Sequence, residues 1–189
     1  IEKNYIERNY NNNVKTRGAM GIDISGGNNH IIQNNFIGQC LNRQGYGTST
    51  FNSVQGTAGI RILGGTGHKV YHNTVHLTGA ISGTTGKNIV AAFEVTSLTC
   101  TGMDVRNNIF SNQVTGGNPA LYNTVLVSMF LPSGGTSAMN LTLNNNTYYQ
   151  GSLSQSGIAQ IGTIASAANL YKSVNFNPAI ITPATNLRS

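Results

Sequence analysis

The sequence predicts an all-β chain wound as a right-handed parallel β-helix, a solenoid of about five coils with an asparagine ladder and long loops between coils. Three observations predict it. One short motif recurs in a single frame, apolar and polar residues alternate within each copy, and helical periodicity is absent throughout.

The motif is plainest where residues 21–38 (GIDISGGNNHIIQNNFIG) are laid over residues 59–76 (GIRILGGTGHKVYHNTVH). Glycines, isoleucines, a histidine and an asparagine coincide without a gap at an offset of 38. The frame continues as MDVRNNIF from Met103 and LTLNNNTY from Leu141, and it opens in IEKNYI from Ile1. An aliphatic residue precedes each turn (Ile1, Ile32, Val70, Val105, Leu143), and the turn asparagine is Asn4, Asn35, Asn73, Asn108 and Asn146. An asparagine at one point of every coil can adopt the left-handed backbone conformation and stack its amide on the coils above and below.

Alternation marks the strands. Ile22 and Ile24, Ile60 and Ile62, Phe93 and Val95, and Val125 and Val127 are spaced as in a strand with one buried face. The asparagines are 31, 38, 35 and 38 residues apart, a variation that loops leaving the coil at one corner absorb. Residues 39–58 and 78–90, rich in Gly, Ser and Thr, are where those loops are placed. Coils then occupy residues 1–150, and residues 151–189 close the same domain. Five coils at about 4.8 Å per rung stand about 24 Å tall.

A fixed register turns positions into columns. His30, His68, Met103 and Leu141 form one that points inward, so the histidines read as stacked, hydrogen-bonded core groups and not as metal ligands. His68, His72 and His76 cannot converge on a metal when the coil turns at Asn73. A second inward column reads Ile6, Ile37, Val75, Phe110 and Tyr148, which turns Tyr149 outward. The outward column Asp23, Arg61, Glu94, Leu126 alternates in charge sign, and Lys69 stacks on Asp104 in the same way.

That outward column is also the candidate catalytic set. Asp23 and Glu94, two rungs apart, would be separated by about 9 to 10 Å, near the upper limit for an inverting acid and base. Arg61 between them could bind a sugar carboxylate. It would also hold both carboxylates ionised, which suits neither a general acid nor a calcium cage.

Composition bounds the partners. Charged residues make up 8% of the chain, against about 25% in an ordinary domain, so solubility rests on amides and hydroxyls. The net charge of +6 comes from 11 scattered Lys and Arg, the densest stretch being Lys15 to Arg17, which speaks against a nucleic-acid interface. Cys40 and Cys100 fit either one disulfide or two buried thiols. No residue pattern calls for a cofactor or a metal, and no apolar run is long enough to span a bilayer. The chain opens at Ile1 without an initiator Met, as a processed piece of something longer would.

The repeated pattern, in the style GI-x-I-x-GG-x-x-H-x-I-x-x-N, resembles that of bacterial right-handed parallel β-helix repeat proteins of the pectate-lyase-like superfamily, in their C-terminal part. The tail NLYKSVNFNPAIITPATNLRS resembles their closing segment, where an Asn-Pro turn follows the last coils. That group includes lyases, hydrolases, epimerases, tailspikes and adhesins, so the resemblance implies the fold more narrowly than the activity. The expectation is a non-catalytic, secreted or cell-surface structural protein: an adhesin, stalk or filament subunit that stacks end to end and can contact polysaccharide. The alternative expectation is a fragment of a polysaccharide lyase or glycoside hydrolase working through Asp23, Arg61 and Glu94.

Overall fold

The computed structural model describes residues 1–12, 18–43, 56–82, 87–120, 123–132, 139–162 and 170–172, and the regular elements among them are all strands. The first coil carries β1 (Tyr5–Glu7), β2 (Tyr10–Asn11) and β3 (Met20–Ile24). The second carries β4 (Ile31–Gln33), β5 (Phe36–Gly38), β6 (Leu41–Asn42) and β7 (Thr57–Ile62). The third repeats the order as β8 (Lys69–Tyr71), β9 (Thr74–Leu77), β10 (Ala80–Ile81) and β11 (Asn88–Val95). The fourth does so again with β12 (Asp104–Arg106), β13 (Ile109–Asn112), β14 (Thr115–Gly116) and β15 (Thr124–Leu131). After these come β16 (Thr142–Asn144), β17 (Thr147–Gln150), β18 (Ser156–Ile161) and β19 (Leu170–Tyr171).

Strands in equivalent positions pair in parallel, which makes the chain a β-solenoid. One sheet runs β1-β5-β9-β13-β17, a second β4-β8-β12-β16, and a third β3-β7-β11-β15-β18, to which β19 adds in the antiparallel sense. The first and third sheets have five parallel rungs each and the second has four. About three turns, those of β4 to β7, β8 to β11 and β12 to β15, lie between neighbours on both sides, fewer than the five full coils expected. The expected loops also hold structure: β6 pairs with β2 and β10 with β14, each over two residues, within the segments read as excursions. Residues 44–55 and 83–86 of those segments lie outside the described residues. Past residue 150 the stack goes on, because β18 pairs in parallel with β15. The Asn-Pro turn of the tail falls outside the described residues.

The turns differ from expectation by one residue. The left-handed positions are Lys3, Asn34, His72, Asn107 and Asn145, with φ between 52° and 58°, each immediately before a ladder asparagine. The ladder asparagine itself has ordinary backbone, and its side chain does the stacking. The backbone N–H and Nδ2 of Asn4 both donate to Oδ1 of Asn35, at 3.0 and 2.9 Å. Asn35 donates in the same way to Asn73 at 3.1 and 2.9 Å, Asn73 to Asn108 at 2.9 and 3.0 Å, and Asn108 to Asn146 at 3.0 and 2.9 Å. The remaining Nδ2 protons reach backbone carbonyls such as Ile32 O and Val70 O. Four of the five asparagines are buried, and the row satisfies groups that would otherwise be costly to desolvate.

The core lies between the three sheets and is filled in columns. Ile6, Ile37, Val75, Phe110 and Tyr148 stack in register, as do Ile22, Ile60, Phe93, Met129 and Ala159. Phe93 stacks on Phe110 at 5.2 Å between ring centroids, which ties the first sheet to the third. Gly59 leaves room for Val75 of the first sheet, since a Cβ there would lie 2.2 Å from Val75 Cγ1. His68, Met103 and Leu141 are buried in one column, but His30, on the outer rung of that sheet, is exposed. The His30 and His68 rings are parallel at 5.2 Å, and His68 Nδ1 accepts the backbone N–H of His30 at 3.3 Å. Its Nε2 therefore carries the proton and donates to Gly64 O at 3.0 Å. Cys40 and Cys100 are both buried free thiols, and burial pushes Cys40 up to about 11.

Candidate functional site

The third sheet carries the candidate site, because its register places Asp23 of β3, Arg61 of β7 and Glu94 of β11 on adjacent rungs. Two corrections follow from the pairing. Glu94 faces Phe130, not Leu126, which pairs instead with Val90 and Ser156. The column then ends at Gln160 of β18. Nor does the column face solvent along its length: Asp23 is exposed, Arg61 is 5% exposed and Glu94 is 0% exposed.

The same sheet carries a second apolar cluster, whose Phe130 is level with Glu94. Ile89, Ala91, Val125, Val127 and Phe130 cluster on the outer side of the sheet, with Leu170 of β19 packed among them. Val125 and Val127, expected to continue the inward pair Phe93 and Val95, belong to this outer layer; Met129 and Leu131 take the inward places. Both faces of β11 and β15 are thus buried over all eight residues. The signal was present in the continuous apolar runs NIVAAFEV and TVLVSMFL, the mark of a strand covered on two sides.

The electrostatics are lopsided. Arg61 donates from Nε to Asp23 Oδ1 at 3.0 Å and from Nη2 to Asp23 Oδ2 at 2.6 Å, a bidentate pair. Glu94 receives no such bond. Neither of its carboxyl oxygens has a hydrogen-bond partner among the described residues. Burial pushes its carboxyl up to about 8; Arg61 pulls it down and Asp23 pushes it further up. At neutral pH the group is mostly protonated. The expectation that Arg61 holds both carboxylates ionised fails because Asp23 takes the guanidinium fork and Glu94 is left fully buried beside Phe130 without a hydrogen bond from the described residues.

A second polar cluster lies on the outer side of the second sheet. Lys69 is level with Asp104, as expected, but the contacts of Asp104 are with Arg106, through Nε at 2.7 Å and through Nη2, and with Tyr71, whose hydroxyl donates at 2.6 Å. Residues 104 and 106 share a strand face, a two-residue spacing that could have been read from the sequence. Desolvation raises the Asp104 carboxyl, yet the bonds from Arg106 and Tyr71 outweigh it and hold the group below its ordinary value. Tyr71 is pushed up to about 12, first by desolvation and then by its bond to Asp104.

Exposed aromatics complete the surface. Tyr149 is 55% exposed and borders a cavity of about 380 Å³ lined also by Tyr148, Gln150, Gly151, Ser152 and Ile158. At the other end of the first sheet, Tyr5 stacks on Phe36 at 5.0 Å. His72 occupies a left-handed turn and His76 bonds Ser111 Oγ at 3.1 Å, so neither joins His68. Among the described residues no three His, Cys, Asp or Glu side chains gather to hold a metal, and no helix is long and apolar enough to cross a membrane.

The class these features define is an all-β parallel solenoid with one doubly covered sheet. Compared with family models, curated proteins and solved structures, the chain gives no match.

Proposed function

We propose that the chain is a non-catalytic structural solenoid of a secreted or cell-surface protein, a stalk, adhesin or filament element that self-associates and can contact polysaccharide. The observation that carries this reading is the state of the Asp23, Arg61, Glu94 column. Its arginine is bound in a bidentate pair and its second carboxyl is fully buried. An acid and base pair must reach substrate to act, and Glu94 does not reach the surface. What the chain invests in instead is repetition, seen in the asparagine row.

Self-association is supported by the outer rungs β16 and β17, which end their sheets with strand edges of the kind that recruit another chain. Contact with polysaccharide is supported by Tyr149 and the stacked Tyr5 and Phe36, whose rings suit the apolar face of a sugar. The extracellular setting rests on the resemblance of the repeats and on the amide-rich composition. Electron microscopy and sedimentation of the purified chain test the assembly: concentration-dependent oligomers or fibres support it, and monomers at every concentration contradict it.

One observation favours the alternative, a polysaccharide lyase or glycoside hydrolase fragment. Glu94, pushed up to about 8, carries a proton at neutral pH as a general acid would. Incubation with uronate-containing and neutral glycans separates the two readings. Release of unsaturated uronates or reducing ends, lost in Arg61→Ala, would replace the structural reading; no product from any glycan leaves it standing.

A further inference from the structure

We propose that Glu94 is a proton-operated latch of the third sheet: protonated, it stays buried between the Arg61 and Phe130 rungs, and on losing its proton it draws Arg61 from Asp23 and loosens the packing of β11 against β15.

The geometry requires two states. A carboxylate at this position would be fully buried, without a hydrogen bond from the described residues, and level with the apolar Phe130. Such an ion is too costly to keep unless a counter-charge moves to it. The nearest cation is on the next rung, since Arg61 is level with Glu94 in adjacent strands about 4.8 Å apart. That guanidinium already gives Nε and Nη2 to Asp23 on the rung beyond. Two carboxylates then compete for one fork, and the exposed one is the cheaper to release to water. Of the groups that face Glu94, Arg61 comes from β7 and Asp23 from β3, while β15 offers Phe130, β18 carries Gln160 further along the column and β19 contributes Leu170 to the cluster that includes Phe130. Among the described residues, Arg61 and Asp23 are the charged groups that act on Glu94.

The sign follows from which state holds the proton more tightly. The folded-state value for Glu94 lies above its value of 4.5 in the unfolded chain, so the folded form binds the proton better. Its contribution to stability is whole below pH 4.5 and is lost as the pH rises from there through about 8. The separation corresponds to a factor on the order of 10³ in the equilibrium between closed and opened states. Low pH closes the latch and alkaline pH opens it.

Infrared spectra of the 189-residue chain across this pH range, read against Glu94→Gln, report the carboxyl directly. The expected result is a protonated carboxylic C=O band that persists at neutral pH, disappears near pH 8 and is missing from the variant. Amide exchange in β11 and β15, each rate divided by that of Glu94→Gln at the same pH, should rise by on the order of 10³-fold between pH 4.5 and about 8 and level off once the band has gone. Asp23→Asn, which removes the carboxylate competing for the Arg61 fork, should move the midpoint to lower pH, and it keeps the test alive if the glutamine variant does not fold. Absence of the band at neutral pH overturns the latch, as does a band that titrates while exchange in β11 and β15 stays level with the variant. A midpoint unmoved by Asp23→Asn overturns the competition for Arg61.

Discussion

Asn73 accepts two hydrogen bonds from Asn35 and gives its own amide to Ile32 O and Asn108 Oδ1, all within the buried interior. Replacing it by alanine removes the acceptor for two buried donors, each costing about 1 to 3 kcal/mol when left unmade. Asn73→Ala should therefore lower unfolding stability by about 3 kcal/mol, while Asn4→Ala, at the exposed end of the row, should cost less than about 1 kcal/mol. Denaturant unfolding of the two variants measures the difference. Glu94 acts in the opposite direction. Because its folded-state value is raised to about 8 from 4.5, its ionisation costs the fold up to about 5 kcal/mol between those pH values. Glu94→Gln should flatten the fall of stability with rising pH across that window, and equal pH profiles for the two chains would contradict it.

At the scale of elements, the turns and the glycines decide how closely the coils approach. His72 holds a left-handed φ of 53° where the equivalent positions of other coils carry Asn34, Asn107 and Asn145. His72→Asn should stabilise the chain by up to about 1 kcal/mol, because asparagine accepts that conformation with less strain. Gly59→Val should destabilise it by about 2 to 4 kcal/mol, since its Cβ would fall 2.2 Å from Val75 Cγ1 and 2.7 Å from Ala92 O. Thermal melts check both. The columns around Asn35 and Asn73 were legible in the sequence because a conspicuous residue fixes the frame on both sides of each turn. The register of β15 was not legible, and the reason is physical. Its run TVLVSMFL carries apolar residues on both faces, so sliding it by four residues keeps an apolar residue at each inward place while exchanging Leu126 for Phe130 beside Glu94. The left-handed position was misplaced by one for a similar reason: Lys3 and His72 hide a column that asparagines fill elsewhere. The protonated state of Glu94 was hidden as well, since its cause, full burial, comes from residues far apart in the chain.

Among the described residues, the parallel pairings of the three sheets join positions 30 to 38 residues apart. Such non-local pairing makes folding slow, and refolding from denaturant should take milliseconds to seconds, not microseconds. The repetition also explains why a chain with so few charges holds together: each rung satisfies the backbone of the next, and the asparagine row does the same for side chains. The vertical row of asparagines is the claim on which the fold, the site and the latch all rest. It is tested most directly by nuclear Overhauser contacts among asparagine side-chain amides. The account predicts cross-peaks from Asn35 to Asn73, from Asn73 to Asn108 and from Asn108 to Asn146 in the folded chain. Their absence, with each of these amides instead in contact with unrelated parts of the sequence, would contradict it.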